Sequence, residues 1–360
     1  MGAPLIFVLR RGLLLAAMAT LVLGVIAGLA RLGALPSNQL VAWHGPLMAV
    51  GFLGTLLSLE RAVALERAWG YSAPALGVAA TFALGAQQVL LGQCLWLAAG
   101  ACFVAVSLVL AQRHWSLASL TMAAGAVLWT LGLGLWAIDG SWLAVILFWA
   151  ALPILVVAGE RLELAVLIRL SPVARRSVGV CLALLSAGLL AAALGASAAL
   201  WLTGAAWMAL GVWLMRYDVL RLGWKRGGQA RFAALCLGSG YFWLIFGGHF
   251  LWHLAMGKAL AYDAALHSLF LGFVFDLIFA HALVIFPAVS GWSLRWHRGH
   301  YAPWALLQFS LGLRVLGDAL GHPDWRAWGA WGNALALSAF VLAQIVSAYA
   351  ARRRVGTGIS

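Results

Sequence analysis

Histidines inside apolar segments are the residues of this sequence best suited to chemistry. His44, His249, His253 and His267 all lie within long stretches of aliphatic and aromatic residues. Taking an imidazole out of water is costly, so a histidine inside a membrane segment indicates a functional site by default. Neutral imidazole is also a common ligand of metal ions and haem iron. The four side chains are therefore candidate ligands of a metal ion or a haem.

The spacing of these histidines along the sequence predicts which residues lie on the same face of a helix. His249 and His253 are four residues apart and so lie on one face of a helix. His44 is followed by Gly51 and Gly54, where a flat macrocycle or another helix can approach closely. Both explanations of the glycines stay open, because small residues also mediate helix packing in membranes. His44 alone could equally serve as a hydrogen-bond donor to a neighbouring backbone carbonyl.

The composition indicates the class of protein that positions these side chains. The chain has 360 residues, of which 64% are hydrophobic and 9% charged. Soluble domains carry about 25% charged residues, so an integral membrane protein is predicted. The 20 tryptophans are typical of aromatic belts at the two membrane interfaces. The four cysteines form no CxxC pair, which argues against a disulfide framework or a zinc site.

Apolar stretches of about 20 residues predict the helices themselves. We expect an all-α, polytopic membrane protein in which residues 1–360 form a single domain of twelve transmembrane helices, with no soluble domain. Tight hairpins are expected at 91–93 and 195–197. The predicted spans are 12–33, 40–63, 73–91, 94–112, 116–137, 141–164, 176–196, 198–216, 232–256, 262–288, 301–319 and 328–350.

The basic residues predict the orientation. All but four of the 23 Lys and Arg fall at the ends of the chain or in the loops on one side, the exceptions being Arg31, Lys258, Arg314 and Arg326. Because Lys and Arg concentrate in cytoplasmic loops, both termini are predicted to be cytoplasmic. The formal charge of +13 then reflects topology, and no nucleic-acid partner is expected. The four histidines would share a depth near the outer face.

Charged residues inside the predicted spans offer a second kind of chemistry. Asp276 in span ten and Arg314 in span eleven are expected to form an ion pair, although Arg314 and Asp318 are also spaced for a local pair. The dipeptides at 60–61 and 160–161, each Glu-Arg, predict ion pairs between helices. A proton-coupled secondary transporter using Asp276 and Arg314 is therefore one alternative function.

The pattern as a whole resembles known haem proteins. Twelve spans with cytoplasmic termini and histidines in spans two and ten resemble haem–copper oxidase subunit I. Trp43-His44 followed by Met48 and Gly51-Phe52 more closely resembles the NnrS family, twelve-span proteins that contain haem and copper and are linked to nitric-oxide stress and denitrification. The stretch 158–161, Ala-Gly-Glu-Arg, is similar to the Gly-x-Arg element of that family.

The resemblance implies a set of site residues. His44 and His267 would be axial ligands of a haem, which would be b-type because the chain has no CxxCH attachment motif. Basic residues near the outer face, His322, Arg326 and Lys258, would contact the haem propionates. Gly51 would allow close approach of the macrocycle. The implied partners are a respiratory electron donor or a nitric-oxide reductase system.

The sequence also departs from these relatives. Spans six and seven contain no histidine, so the copper triad of the oxidases is absent and a proton-pumping oxygen reductase is not expected. Pro46 stands where the NnrS pattern has a second histidine. His249 and His253 could instead bind copper or a second haem. Whether the protein is an enzyme stays open, and an assembly factor for a respiratory complex is a third alternative.

Overall fold

A computed structural model describes residues 3–36, 40–165 and 169–356, with side chains from residue 5 to residue 351. Helices account for nearly all of these residues, and no strand occurs among them. The chain divides into two compact units. Unit 1 comprises Met1–Glu163 and Ala288–Gly291, and unit 2 comprises Leu164–Pro287 and Trp292–Ser360.

Unit 1 is built from the first half of the chain. Its helices are α1 (Ala3–Arg31), α2 (Val41–Leu65), α3 (Ser72–Gly85), α4 (Val89–Arg113), α5 (Leu117–Ala137) and α6 (Trp142–Leu164). Helix α6 is the most buried of them, with 89% of its most apolar window shielded. No charged residue precedes Glu160 in this helix, and an apolar stretch of this kind can be buried on every face.

Unit 2 is built from the second half. Its helices are α7 (Pro172–Ala193), α8 (Ala199–Tyr217), α9 (Leu220–Arg226), α10 (Gly228–Ala255), α11 (Ala261–Ser290), α12 (Tyr301–Leu320) and α13 (Pro323–Gly356). Local signals fix several ends. Ser171 caps α7 by accepting a hydrogen bond from the Ala174 N–H, with Pro172 at the first helical position. Gly321 ends α12 in the left-handed conformation.

The prediction of an all-helical membrane protein is confirmed. Each predicted span falls mainly on one helix, and ten helices of the described ranges are long and apolar enough to cross a membrane. The two others are α3, which has 14 residues, and α12, which carries Arg314 and Asp318. The hairpin expected at 195–197 is present, with Gly195 at φ 67°.

The other predicted hairpin lies elsewhere. The turn between α3 and α4 covers 86–88 rather than 91–93, since α4 already begins at Val89. Gln87 adopts φ 61°, and the Gln88 N–H donates to the Ala83 carbonyl, which ends α3 early. Apolarity is continuous across this turn, so hydropathy alone misplaced it.

Tryptophans contribute to the interior of each unit as well as to its surface. The side chains of Trp96, Trp149 and Trp207 are at most 1% exposed, so these three indoles do not form an interfacial belt. The Trp96 indole N–H donates to the Gly77 carbonyl, which satisfies its polar end. Buried indoles of this kind supply large contact areas between helices.

Candidate functional site

The His44 imidazole is held against helix α1 inside unit 1. Its Nδ1 lies 2.8 Å from the Gly24 carbonyl oxygen, and a Cβ on Gly28 would lie 2.8 Å from its Cε1. A carbonyl only accepts hydrogen bonds, so Nδ1 carries a proton, and in the neutral form of the ring the lone pair is on Nε2. Gly28 therefore leaves the slot that holds the ring, and the Gly24 carbonyl determines that Nδ1 is protonated.

The stretch after His44 is a π-helix. Leu47–Phe52 forms i→i+5 hydrogen bonds before the regular helix resumes at Leu53. Within this stretch, a Cβ on Gly51 would lie 2.6 Å from Thr20 Cγ2 and 3.3 Å from Thr81 Oγ1. Gly51 therefore allows close contact with α1 and α3, which is the helix-packing alternative for this glycine. Short π-helical segments occur frequently at functional sites.

An indole cluster adjoins the start of α2. The ring centroids of Trp43 and Trp136 are 6.3 Å apart, and Trp136 contacts Trp96 at 5.4 Å and Trp149 at 6.0 Å. The cluster therefore links Trp43, the residue before His44, to the buried indoles of Trp96 and Trp149 in the interior of unit 1.

The His267 imidazole has a different environment, in unit 2. Its Nδ1 lies 2.9 Å from the Asp263 carbonyl oxygen and 3.4 Å from Asp263 Oδ1. Here too Nδ1 is the protonated nitrogen, because both neighbours accept. A second π-helix, Ser268–Val274, begins at the next residue. A Cβ on Gly272, within it, would lie 2.3 Å from the Trp243 side chain, so helix α10 packs directly on this segment.

An ion-pair network extends from Asp263. Its Oδ2 lies 2.8 Å from Arg314 Nη2 and 3.8 Å from Arg326 Nη2, and Arg326 also pairs with Asp318 through Nε. The expected pairs of Arg314 with Asp276 or with Asp318 were therefore wrong. Asp263 is nearer because it lies four residues before His267, on the face of α11 towards α12. The sequence offered that spacing as a signal, and Asp263 was nevertheless missed.

Asp276 forms a separate network in unit 2. The side chain is 0% exposed. It accepts hydrogen bonds from Ser239 Oγ at 2.6 Å and from Gln308 Nε2 at 2.8 Å. Gln308 in turn accepts from the Trp243 indole at 2.8 Å. The carboxyl thus joins α10, α11 and α12 through neutral polar groups.

The three residues expected at haem propionates differ in their surroundings. Arg326 belongs to the ion-pair network, where two carboxylates already surround it. His322 is exposed and stacks on Trp325 with 4.9 Å between ring centroids. Lys258 is exposed in the turn after α10. Of the three, Arg326 alone joins the network that holds His267.

His249 and His253 form a pair on the last turns of α10. Their Nε2 atoms are 3.1 Å apart, and their ring centroids 4.6 Å apart. His249 is exposed and His253 half-buried. Across the described ranges, no group of three or more His, Cys, Asp or Glu side chains is placed to hold a metal ion. The pair is therefore two imidazoles without a further ligand of those types.

The two Glu-Arg dipeptides meet inside unit 1, as expected. Arg61 Nη2 lies 2.6 Å from Glu160 Oε1 and 3.3 Å from Glu60 Oε1, which links α2 to α6. Arg161 Nη2 lies 4.0 Å from Glu160 Oε2. The opposite charges neutralise one another, which suits a structural role for this cluster.

The comparison with known families gives one match. A family model described as Domain of unknown function (DUF8744) matches residues 10–349. Since this covers most of the 360 residues, the chain belongs to that family. No curated protein and no solved structure matches the chain.

Proposed function

We propose that this DUF8744 chain is an integral membrane protein that binds a b-type haem, with His44 and His267 as candidate axial ligands. The topology that goes with this function is twelve spans with both termini in the cytoplasm of a bacterial inner membrane. The physiological setting is nitric-oxide or denitrification-related respiration, with a respiratory electron donor or a nitric-oxide reductase system as partner.

The observation that carries the proposal is the hydrogen bonding of the two imidazoles. In both, Nδ1–H donates to a backbone carbonyl, at 2.8 Å for His44 and at 2.9 Å for His267. Ligand histidines of metal centres usually donate their second N–H in this way, which fixes the ring and makes Nε2 the basic nitrogen. In both helices the histidine also precedes a π-helical segment.

The residues around each ring fit a haem unequally. On the His44 side, the interior of the same unit contains the buried indoles of Trp96 and Trp149, apolar side chains of the kind that surround a macrocycle. On the His267 side, Arg314 and Arg326 supply the cations that suit propionates, although both already pair with carboxylates. A bound haem would supply one-electron redox chemistry, or an open position for nitric oxide if one histidine alone ligates.

An optical spectrum of the purified full-length chain tests this function. We expect a Soret band and sharp reduced-minus-oxidised bands in the wild type. His44→Ala and His267→Ala should each remove or shift these bands, because each deletes an axial ligand. His114→Ala is the matched control, since His114 is exposed and lies outside the helices that carry the candidate ligands.

The spectra of the two variants distinguish a haem bound by both histidines from a haem bound by one. Loss of the bands in both variants indicates bis-histidine ligation, which suits electron transfer. Loss in only one, with a new nitric-oxide-dependent shift in the wild type, indicates a five-coordinate haem that binds gas. A chain without a Soret band after expression with added haem precursor would contradict the proposal.

A proton-coupled transporter is the second candidate, and Asp276 is the observation that favours it. A carboxyl that is 0% exposed and hydrogen-bonded only to the neutral side chains Ser239 and Gln308 can take up and release a proton without breaking an ion pair. This function predicts a colourless chain whose reconstituted vesicles move protons. Asp276→Asn should abolish that movement, because it removes the group that carries the proton.

A further inference from the structure

The end of helix α10 carries an arrangement that the haem proposal does not use. His249 and His253 are one helical turn apart, and their Nε2 atoms face each other at 3.1 Å. Phe250 lies between them on the helix, with its ring 5.8 Å from that of His249 and 6.1 Å from that of His253. The two nitrogens are held together by the hydrogen bond between the rings, with the Phe250 ring beside both of them.

The separation of the two nitrogens matches that of two ligands on one metal ion. Imidazole binds first-row transition metals at about 2.0–2.1 Å, so two imidazoles on one ion have nitrogens about 2.9–3.4 Å apart. The observed 3.1 Å falls in this interval. A metal ion can therefore replace the hydrogen bond between the rings with little movement of either side chain.

A third ligand type lies on the same face. Met256 follows His253 by three residues and His249 by seven, the spacing of successive turns along one helix stripe. Its side chain is 56% exposed at the residue that ends α10. A thioether is a soft ligand that prefers copper, whereas zinc and the harder ions favour imidazole, thiolate or carboxylate. The combination of two imidazoles and one thioether therefore selects copper among the first-row metals.

We propose that His249, His253 and Met256 form a copper site at the end of α10. The two imidazoles bind the ion in either oxidation state, and the thioether adds affinity for cuprous copper. Copper also stands highest of the divalent first-row ions in affinity for nitrogen ligands, which strengthens its selection. The site is complete within one helix, so it does not depend on whether haem binds elsewhere.

Copper titration of the full-length chain, purified with a histidine-free tag, tests the site. We expect the wild type to bind one equivalent of Cu²⁺ with nitrogen ligation in the paramagnetic resonance spectrum. His249→Ala and His253→Ala should each weaken binding by about tenfold or more, because the second ligand of a preorganised pair binds at high effective concentration. His114→Ala, which removes a single exposed histidine, should change nothing.

The thioether is tested separately. Met256→Leu keeps the volume of the side chain, so it should leave Cu²⁺ affinity near the wild-type value and weaken Cu⁺ binding, measured under reductant against a colorimetric chelator. All variants change exposed or half-buried residues and should melt at the wild-type temperature. The haem spectrum, recorded on the same samples, should not respond to any of them.

Three results would overturn the site. One is equal copper affinity in the wild type and both histidine variants. Another is binding of several weak equivalents that no variant alters, which indicates an adventitious ion only. The third is Zn²⁺ binding as tight as Cu²⁺ together with no effect of Met256→Leu on Cu⁺. A failure of the haem spectrum with an intact copper site would affect the proposed function alone.

Discussion

Helix α2 of unit 1 and helix α11 of unit 2 each carry a candidate ligand histidine, but different contacts orient the two imidazole rings. Each carries a candidate ligand histidine, with Nδ1 bound to a carbonyl, ahead of a π-helical segment. His44 donates to Gly24 of another helix, 20 residues away in sequence, and its ring fills the slot left by the absent side chain of Gly28. His267 donates to its own helix, and its ring adjoins a carboxylate paired with two arginines.

The difference separates two ways of orienting an imidazole in a membrane protein. The position of His44 depends on how closely α1 and α2 approach, so it is determined by packing. The position of His267 depends on Asp263, so it is determined by local hydrogen bonding and by charge. Steric changes should therefore act mainly at the first site, and changes of charge mainly at the second.

The largest effect is expected from removing the charge at the second site. Asp263→Asn leaves Arg314, whose side chain is 8% exposed, without its nearest counter-charge. Removing one partner of a buried ion pair costs about 3–5 kcal/mol, and the lower end applies here because Asp263 is 27% exposed. We expect a lower thermal unfolding temperature in detergent and an altered spectrum of the haem that His267 is proposed to bind.

Asp324→Asn is the matched control, since Asp324 is an exposed aspartate in the first turn of α13. It should change the unfolding temperature little. Equal stability of the two variants would show that charge does not hold the His267 environment together, and the contrast between the two helices would fail at this site.

A smaller effect is expected from steric change at the first site. In Gly28→Ala the added Cβ would lie 2.8 Å from His44 Cε1, so the ring must move. Overpacking of this kind costs about 1–3 kcal/mol. The variant should lose stability and shift or weaken any spectrum that depends on His44.

Gly12→Ala tests the same substitution on the same helix without the collision, because no atom lies within 4 Å of the added Cβ. Alanine favours helix by about 1 kcal/mol over glycine, so this control should be neutral or stabilised. If both variants behaved alike, the glycine slot around His44 would have no steric function.

The helices were predictable because membrane segments are long and apolar, and that signal is local. The turn at Gly195 was predicted correctly, whereas the other was placed around Gly92, which lies within a helix, and Gln87 makes the left-handed turn instead. The burial of Trp96 and Trp149 was not predictable from composition. An indole is equally suited to an interface or to the interior, and only the packing of neighbouring helices decides between them.

The candidate site was predictable to a lesser degree. The histidines follow from their cost in an apolar segment, but their partners depend on the rotation of each helix, which hydropathy does not determine. Arg314 was therefore assigned to Asp276 when it pairs with Asp263. Neither π-helix was predicted, because i→i+5 hydrogen bonds arise from tertiary packing and leave no clear sequence pattern. The His249 and His253 pair was predictable, since i, i+4 spacing is sufficient.

The smallest effect is expected on the stability of unit 2 as the pH falls. His300 is fully buried before α12, and its Nδ1–H donates to the His297 carbonyl at 2.9 Å. Burial lowers the pKa of His300 below its usual 6.5, and the neighbouring His297 acts in the same direction, while the hydrogen bond opposes them. Between 6.5 and the lower folded pKa, the unfolded chain binds a proton that the folded chain does not, so stability falls as the pH falls.

Thermal unfolding followed through labelling of the buried Cys236 should show this decline in stability, and His300→Gln should flatten it. An unaltered pH slope in the variant would assign the acid sensitivity of unit 2 to a different group, with the Asp263 network as the next to test.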